Sequence, residues 1–254
     1  MCLILFAYKA HPRYPLIVAA NRDEFYHRPT RRLDFWPEAP NLLAGQDLEQ
    51  GGTWLGSTRA GRFAAVTNVR EGFSQTSAQL KSRGHLPLDY LLGDQSPQEY
   101  LADLETQAHH YAGYNLLLGD HEGLFYGSNR NQQPPQALNP GVYGLSNAAL
   151  NNPWPKVATG TQALQQLIDS DTISTETLFR LLQQRDIPAD EQLPDTGVGL
   201  EWERRLGARF IESNDYGTRS SLVMLSESNG SHQIHEQSYT PHWEKPKSYY
   251  FSIE

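Results

Sequence analysis

Short apolar runs recur along the chain, and several of them stop on a polar side chain. Residues 2–8 (Cys-Leu-Ile-Leu-Phe-Ala-Tyr) and 16–20 (Leu-Ile-Val-Ala-Ala) are separated by a segment whose Pro12 and Pro15 exclude a helix. They predict a β-hairpin. Because their apolar residues are continuous instead of alternating, both strands should be covered on both faces. The second run ends in Asn21-Arg22-Asp23-Glu24, four polar residues at the exit of a buried strand. Such an exit can hold a functional site, although an ordinary strand-to-loop junction looks the same.

Residues 25–50, broken by Pro29, Pro37 and Pro40, read as irregular. Order returns at Gly51-Gly52-Thr53-Trp54-Leu55-Gly56, turns at Arg59-Ala60-Gly61, and runs back through Phe63 to end on Asn68. Residues 84–108 read as two helical pieces, the second opened by Ser96-Pro97-Gln98-Glu99 with an N-cap serine, a first-turn proline and a capping-box glutamate. A hairpin over 114–126 and a short strand over 141–147, ending on Asn147, follow. Amphipathic helices are expected over 154–168 and 174–184, the latter with Leu178, Leu181 and Leu182 on one face. A proline- and acid-rich loop over 187–199 precedes closing strands at 208–212, 218–226, 231–239 and 248–253. Hairpins, paired helices and further strands describe a largely antiparallel α+β protein. Neither a repeat nor a linker is visible, so a single domain, 1–254, is expected.

With 21 basic and 29 acidic residues the net charge is -8, which gives no sign of a nucleic-acid surface. The short basic stretch from His27 to Arg32 reads as a solvated loop. One cysteine cannot form an internal disulfide, so nothing requires an oxidising compartment and a cytoplasmic setting is expected. No run reaches the ~20 apolar residues of a transmembrane segment. Leu3 to Tyr8 followed by Val18-Ala19-Ala20 mimics a secretion signal, but Lys9, His11 and Arg13 interrupt it and no basic segment precedes it. Glycine-rich phosphate loops, paired-cysteine metal sites and a serine elbow are missing from the sequence. His109-His110 and the pair His232 and His235 read as surface residues, with no metal implied.

The only cysteine stands directly behind the initiator methionine. A small residue at position 2 favours removal of the methionine, and Cys2 would then carry a thiol and a free α-amine. That amine titrates near ~8 and can take the thiol proton, which makes an N-terminal nucleophile. A buried strand cysteine behaving as a small hydrophobe is the competing interpretation. Catalysis needs a cation near the sulfur, a carboxylate for the α-amine, and amides or backbone N–H groups for an oxyanion. The strand ends offer Asp23 as the carboxylate, Arg22 or Arg219 as the cation, and Asn68 and Asn147 as amide donors. Arg219 enters an apolar strand, where burial without a partner is costly; an outward-facing arginine of an edge strand would show the same pattern.

Cys2, Asn21-Arg22-Asp23-Glu24, Gly52-Thr53-Trp54-Leu55-Gly56, Val66-Thr67-Asn68 and Gly217-Thr218-Arg219-Ser220-Ser221 together resemble the NRDE family, which includes the transport and Golgi organisation protein 2 group. The resemblance runs from residue 2 to about residue 240. More distantly, the same landmarks look like cysteine N-terminal-nucleophile hydrolases of the penicillin V acylase and bile-salt hydrolase type. The resemblance implies Cys2 as nucleophile, Asp23 as the amine-orienting carboxylate, Asn68 and Asn147 as oxyanion and amine-holding amides, and Arg219 as thiolate partner. Asn21, Arg22 and Trp54 would contact substrate. One departure stands out: the arginine expected before Asn-x-Asp is Ala20 here, which shifts the cation requirement towards Arg219. The implied fold is a four-layer α-β-β-α sandwich with two mostly antiparallel sheets.

Two functional classes follow, with an adaptor protein using the acidic surface as a third and weaker option. The first is an amidohydrolase acting on a linear non-peptide amide or related acyl donor, with no cofactor required. The second is a non-catalytic trafficking protein that carries haem, an acyl-CoA or a lipid in the same cleft.

Overall fold

The continuous apolar runs at the start of the chain form β1 (Cys2–Tyr8) and β2 (Leu16–Phe25), an antiparallel hairpin in register from Cys2 opposite Arg22 to Tyr8 opposite Leu16. The computed structural model describes residues 2–72, 80–131, 134–239 and 247–253. The elements that follow are β3 (Thr30–Trp36), β4 (Ala39–Asp47), β5 (Leu55–Thr58), β6 (Phe63–Asn68), α1 (His85–Leu92), α2 (Pro97–Gln107), β7 (Tyr114–Gly119), β8 (Leu124–Ser128), β9 (Gln136–Ala137) and β10 (Gly141–Leu145). After them come α3 (Pro155–Asp169), α4 (Thr175–Leu182), α5 (Leu200–Gly207), β11 (Tyr216–Ser226), β12 (Ser231–Ser238) and β13 (Lys247–Ser252).

The chain divides into two compact units. One comprises the described residues of 1–27, 70–74 and 139–251, and the other those of 28–69, 75–138 and 252–254. Because each unit is assembled from separated segments, no stretch of sequence has the composition of a linker. The first unit holds a six-stranded sheet in the order β10-β1-β2-β11-β12-β13, with α3 and α4 packed on the face formed by Leu3, Leu5, Ile17, Ala19, Val223 and Leu225. The second holds a seven-stranded sheet in the order β3-β4-β5-β6-β7-β8-β9, whose core joins Leu42, Ala64, Val66, Leu116 and Leu118 to Leu86, Tyr90 and Leu101 of α1 and α2. The expected α+β class, built on two antiparallel sheets, is therefore what the chain adopts.

Several local expectations change. Residues 25–50 are not irregular, since β3 and β4 occupy most of that stretch. Pro29 stands before β3, Pro37 sits in the turn, and Pro40 falls where the β3–β4 register jumps from Trp36↔Ala39 to Phe35↔Leu43. A proline that cannot donate to the ladder is tolerated at such an irregularity. Residues 208–212 form no strand, and α5 precedes them. His232 and His235 are buried on β12, where the Nδ1 atom of His232 lies 2.9 Å from Ser226 Oγ and that of His235 lies 2.8 Å from Ser248 Oγ. They point to opposite faces of the strand as expected, but β13 covers them with Phe251 and Tyr250. The anticipated surface position holds only for His109 and His110, which are exposed.

Candidate functional site

Three of the sequence landmarks meet on adjacent strands. In β2, Arg22 lies opposite Cys2 of β1 on one side and opposite Ser220 of β11 on the other. Asp23 is opposite Thr218, and Arg219 is the residue by which the register shifts between Thr218 and Ser220, so it occupies a β-bulge. The β1–β10 ladder ends at Ile4↔Leu145, and Asn147 lies two residues beyond that pair as Cys2 lies two residues before it. The Cys2 thiol, and the expected removal of Met1, lie outside the described residues.

Asp23 is 1% exposed. Its Oδ1 accepts a 2.7 Å hydrogen bond from Thr218 Oγ1, while the same hydroxyl oxygen accepts from Ile211 N at 2.9 Å. The second contact fixes the hydroxyl so that its proton is directed at Asp23. Gly217 makes this entry to β11 feasible, because a Cβ there would stand 2.5 Å from Ile211 O and 2.3 Å from Tyr26 Oη. Tyr216 Oη also donates to the main-chain oxygen of Asp23 at 3.2 Å. Burial pushes the Asp23 carboxyl above the usual carboxylate range; Lys156, the Thr218 hydrogen bond and Arg70 act in the opposite direction.

Lys156, Arg70 and Glu203 complete a buried charge cluster that sequence reasoning missed. Lys156 is 4% exposed and donates from Nζ to Leu206 O at 3.0 Å. Leu206 packs with Tyr216, the residue bonded to Asp23 O. Arg70 Nη1 donates to Glu203 Oε2 at 2.6 Å, both side chains being buried, and Glu203 Oε1 also accepts from the backbone N and hydroxyl of Thr196. Burial lowers the Arg70 pKa while Glu203 raises it. The Arg70 guanidinium stacks 4.8 Å over Trp154, and its backbone N donates to Asn147 O at 2.8 Å. One sequence signal existed: Lys156, Gly160 and Leu164 fall at i, i+4 and i+8, which puts the lysine on the apolar stripe of α3. Arg70 gives no comparable pattern.

The other predicted residues are placed as follows. Asn21 is fully engaged: Nδ2 donates to Leu182 O at 3.0 Å and to Arg209 O at 2.7 Å, and Oδ1 accepts from Ser221 Oγ at 2.6 Å. Both amide protons thus tie β2 to the last residue of α4 and to the segment after α5. Arg22 is buried on the alternate face from Asp23. Arg219 Nη1 donates to Phe25 O at 2.8 Å; burial and the nearby Arg22 lower its pKa, opposed by Glu24. Asn147 is fully buried, with Ser146 Oγ 3.4 Å from its Oδ1. Asn68 and Trp54 belong to the second unit. There Asn68 ends β6 opposite Tyr114, and the indole of Trp54 covers Gly45, where a Cβ would lie 2.3 Å from the ring. Among the described residues no group of three or more His, Cys, Asp or Glu side chains is arranged to hold a metal ion. No described helix is long and apolar enough to cross a membrane.

An α+β chain with Cys2 beside Asn21-Arg22-Asp23, and Thr218-Arg219 on the next strand, has the landmark pattern first noted in the sequence. Residues 1–241 match the family Transport and Golgi organisation 2. The chain is 35% identical to the Transport and Golgi organization protein 2 homolog of Bos taurus, over 94% of this chain and 93% of that protein, and 33% identical to the Homo sapiens homolog over the whole of both. It therefore belongs to the Transport and Golgi organisation 2 family. Among solved structures it is similar to penicillin V acylase from Agrobacterium tumefaciens, with TM-score 0.46 and 11% identity over 100% of this chain and 86% of that one. It is also similar to the C2A mutant of conjugated bile acid hydrolase from Clostridium perfringens, with TM-score 0.44 and 10% identity over 98% and 92% of the two chains.

Proposed function

We propose that this chain is a cysteine N-terminal-nucleophile hydrolase acting on a non-peptide amide or related acyl donor. The reading rests on one observation: Cys2 stands in register beside Arg22, next to an Asp23 that is buried, hydrogen-bonded by Thr218 and neighboured by Lys156. In this scheme removal of Met1 frees the Cys2 α-amine, which takes the thiol proton. The sulfur forms a C–S bond at the carbonyl carbon, and the oxyanion is received by Asn147 with a backbone N–H. Collapse breaks the C–N bond, the protonated α-amine gives its proton to the leaving amine, and water hydrolyses the thioester. Asp23 holds the α-amine, and Arg219 stabilises the thiolate. A reducing, cytoplasmic setting belongs to the same proposal, since a chain with one cysteine needs no oxidising compartment.

The test joins intact mass of natively expressed protein to iodoacetamide labelling at neutral pH and turnover of a panel of acyl amides. Loss of Met1, rapid labelling at Cys2 and abolition of turnover by Cys2→Ala are the expected results. Retained Met1 with an inert thiol overturns the proposal, as does turnover unchanged in Cys2→Ala. Saturable haem or acyl-CoA binding by a chain without turnover would favour the carrier instead.

A further inference from the structure

The first unit contains a groove that shares Lys156 with the Asp23 cluster and has no other residue in the proposed reaction. It follows α3, which contributes Lys156, Thr159, Ala163 and Gln166, with Ser170 as the residue that caps its C-terminus. Their spacing of three and four residues marks a single helix face. The groove has two sections, of about 310 and about 640 Å3, which meet at Gln184 and Arg209.

Cations outnumber anions on its walls. Arg209 stands where the sections join, half-buried, with Nη1 donating to Leu181 O at 3.0 Å. It forms no ion pair among the described residues, and Asp186 is the carboxylate of the larger section, where its oxygen accepts from Gln184. Lys156 lies deeper in the same section. Both cations are held by the interior: the Arg209 carbonyl receives Asn21 Nδ2 at 2.7 Å, and Lys156 Nζ donates to Leu206 O at 3.0 Å. Pro153, Pro155, Ile187 and Pro188 supply apolar walls around them. A half-buried guanidinium with one main-chain acceptor retains donors suited to a carboxylate or phosphate, which it can engage two at a time. Convergent polar groups in an otherwise apolar concavity are the usual make-up of a small-molecule site.

We propose that this groove binds a small organic anion, a carboxylate or phosphate carried on a compact apolar body, with Arg209 as its anchor and Lys156 adding to the positive field. Isothermal titration of the whole chain with phenyl phosphate, benzoate and neutral benzyl alcohol tests it. Saturable binding is expected for at least one anion, weakened by salt, with none for benzyl alcohol. Binding of phenyl phosphate alone identifies a phosphate head, and of benzoate alone a carboxylate.

Arg209→Gln should weaken the anion at least ~10-fold, as loss of a charged hydrogen-bond donor predicts. Ile187 is 59% exposed, so its replacement leaves the core untouched. Ile187→Glu should weaken binding and Ile187→Lys strengthen it, which preserves the test if Arg209→Gln fails to fold. Cys2→Ala should bind as the natural chain does, so this result stands apart from the fate of the hydrolase. Failure of both anions to bind, equal binding of benzyl alcohol, or indifference to the Ile187 charge pair overturns the proposal.

Discussion

Thr218 and Asp23 are joined across β11 and β2 by a 2.7 Å hydrogen bond whose direction is set by a third group, the N–H of Ile211. Thr218→Val removes both contacts at nearly constant volume and leaves a buried carboxyl and a buried N–H without that partner. The variant should lose about 1–3 kcal/mol per group so deprived. Thr218→Ser should recover most of it. Urea midpoints with unchanged slope would establish the loss; a Thr218→Val chain as stable as the natural one would show that the hydroxyl contributes nothing.

Burial carries the Asp23 carboxyl above its ordinary range, and this has a defined sign in stability. Between the unfolded and folded pKa values the folded chain binds the extra proton. Stability therefore declines as pH rises through that window, which begins near ~3.9. If the carboxylate orients the Cys2 amine, the acid limb of Cys2 alkylation should lie above the usual carboxylate range. That limb should vanish in Asp23→Asn. The labelling rate of the single cysteine against pH checks both statements.

The Arg70–Glu203 pair is buried on both sides, so removing one partner strands the other. Glu203→Ala or Arg70→Ala should each cost about 3–5 kcal/mol. Arg70→Met combined with Glu203→Leu should cost less than the sum of the single alanine variants, since no charge is then left alone. A double-mutant cycle by chemical denaturation measures the coupling.

His232 and His235 have pKa values lowered by burial beneath β13. The unfolded chain therefore takes up protons first, and their contribution is complete above ~6.5 and lost as pH falls towards the folded values. Amide protection factors in β12 and β13, which are corrected for the intrinsic pH dependence of exchange, should fall between about pH 7 and about pH 5. His232→Gln with His235→Gln should flatten that dependence. An identical pH profile in the double variant would assign the effect elsewhere.

Much of this architecture was legible because continuous apolar runs and capping chemistry are local signals. The β1–β2 hairpin, the capping box of α2 at Ser96 and Glu99, and the hairpin of β5 and β6 all follow from residues within a few positions of one another. What escaped depended on distant partners. β3 and β4 carry prolines that local rules disfavour in strands, and they are accommodated by an irregular register. The expected Cys2, Asn21, Arg22, Asp23 and Arg219 do fall on neighbouring strands. Lys156, Arg70 and Glu203 were invisible as a group because their proximity comes from three segments far apart in sequence. Asn21 was expected to contact substrate, and what no local pattern shows is that both its amide protons go to the main-chain carbonyls of Leu182 and Arg209.

The strand order β10-β1-β2-β11 imposes a timetable on synthesis. Once made, β1 waits for residues 141–145 on one side, and its hairpin partner waits for residues 216–226 on the other. Until then β1 and β2 form a two-stranded ribbon of apolar residues, a structure of marginal stability with open edges. Long-range pairings of this kind close slowly. The nascent chain thus carries this apolar hairpin unprotected until nearly two hundred further residues have been made, and the segment from Tyr216 to Ser226 is the bolt that finally shuts it.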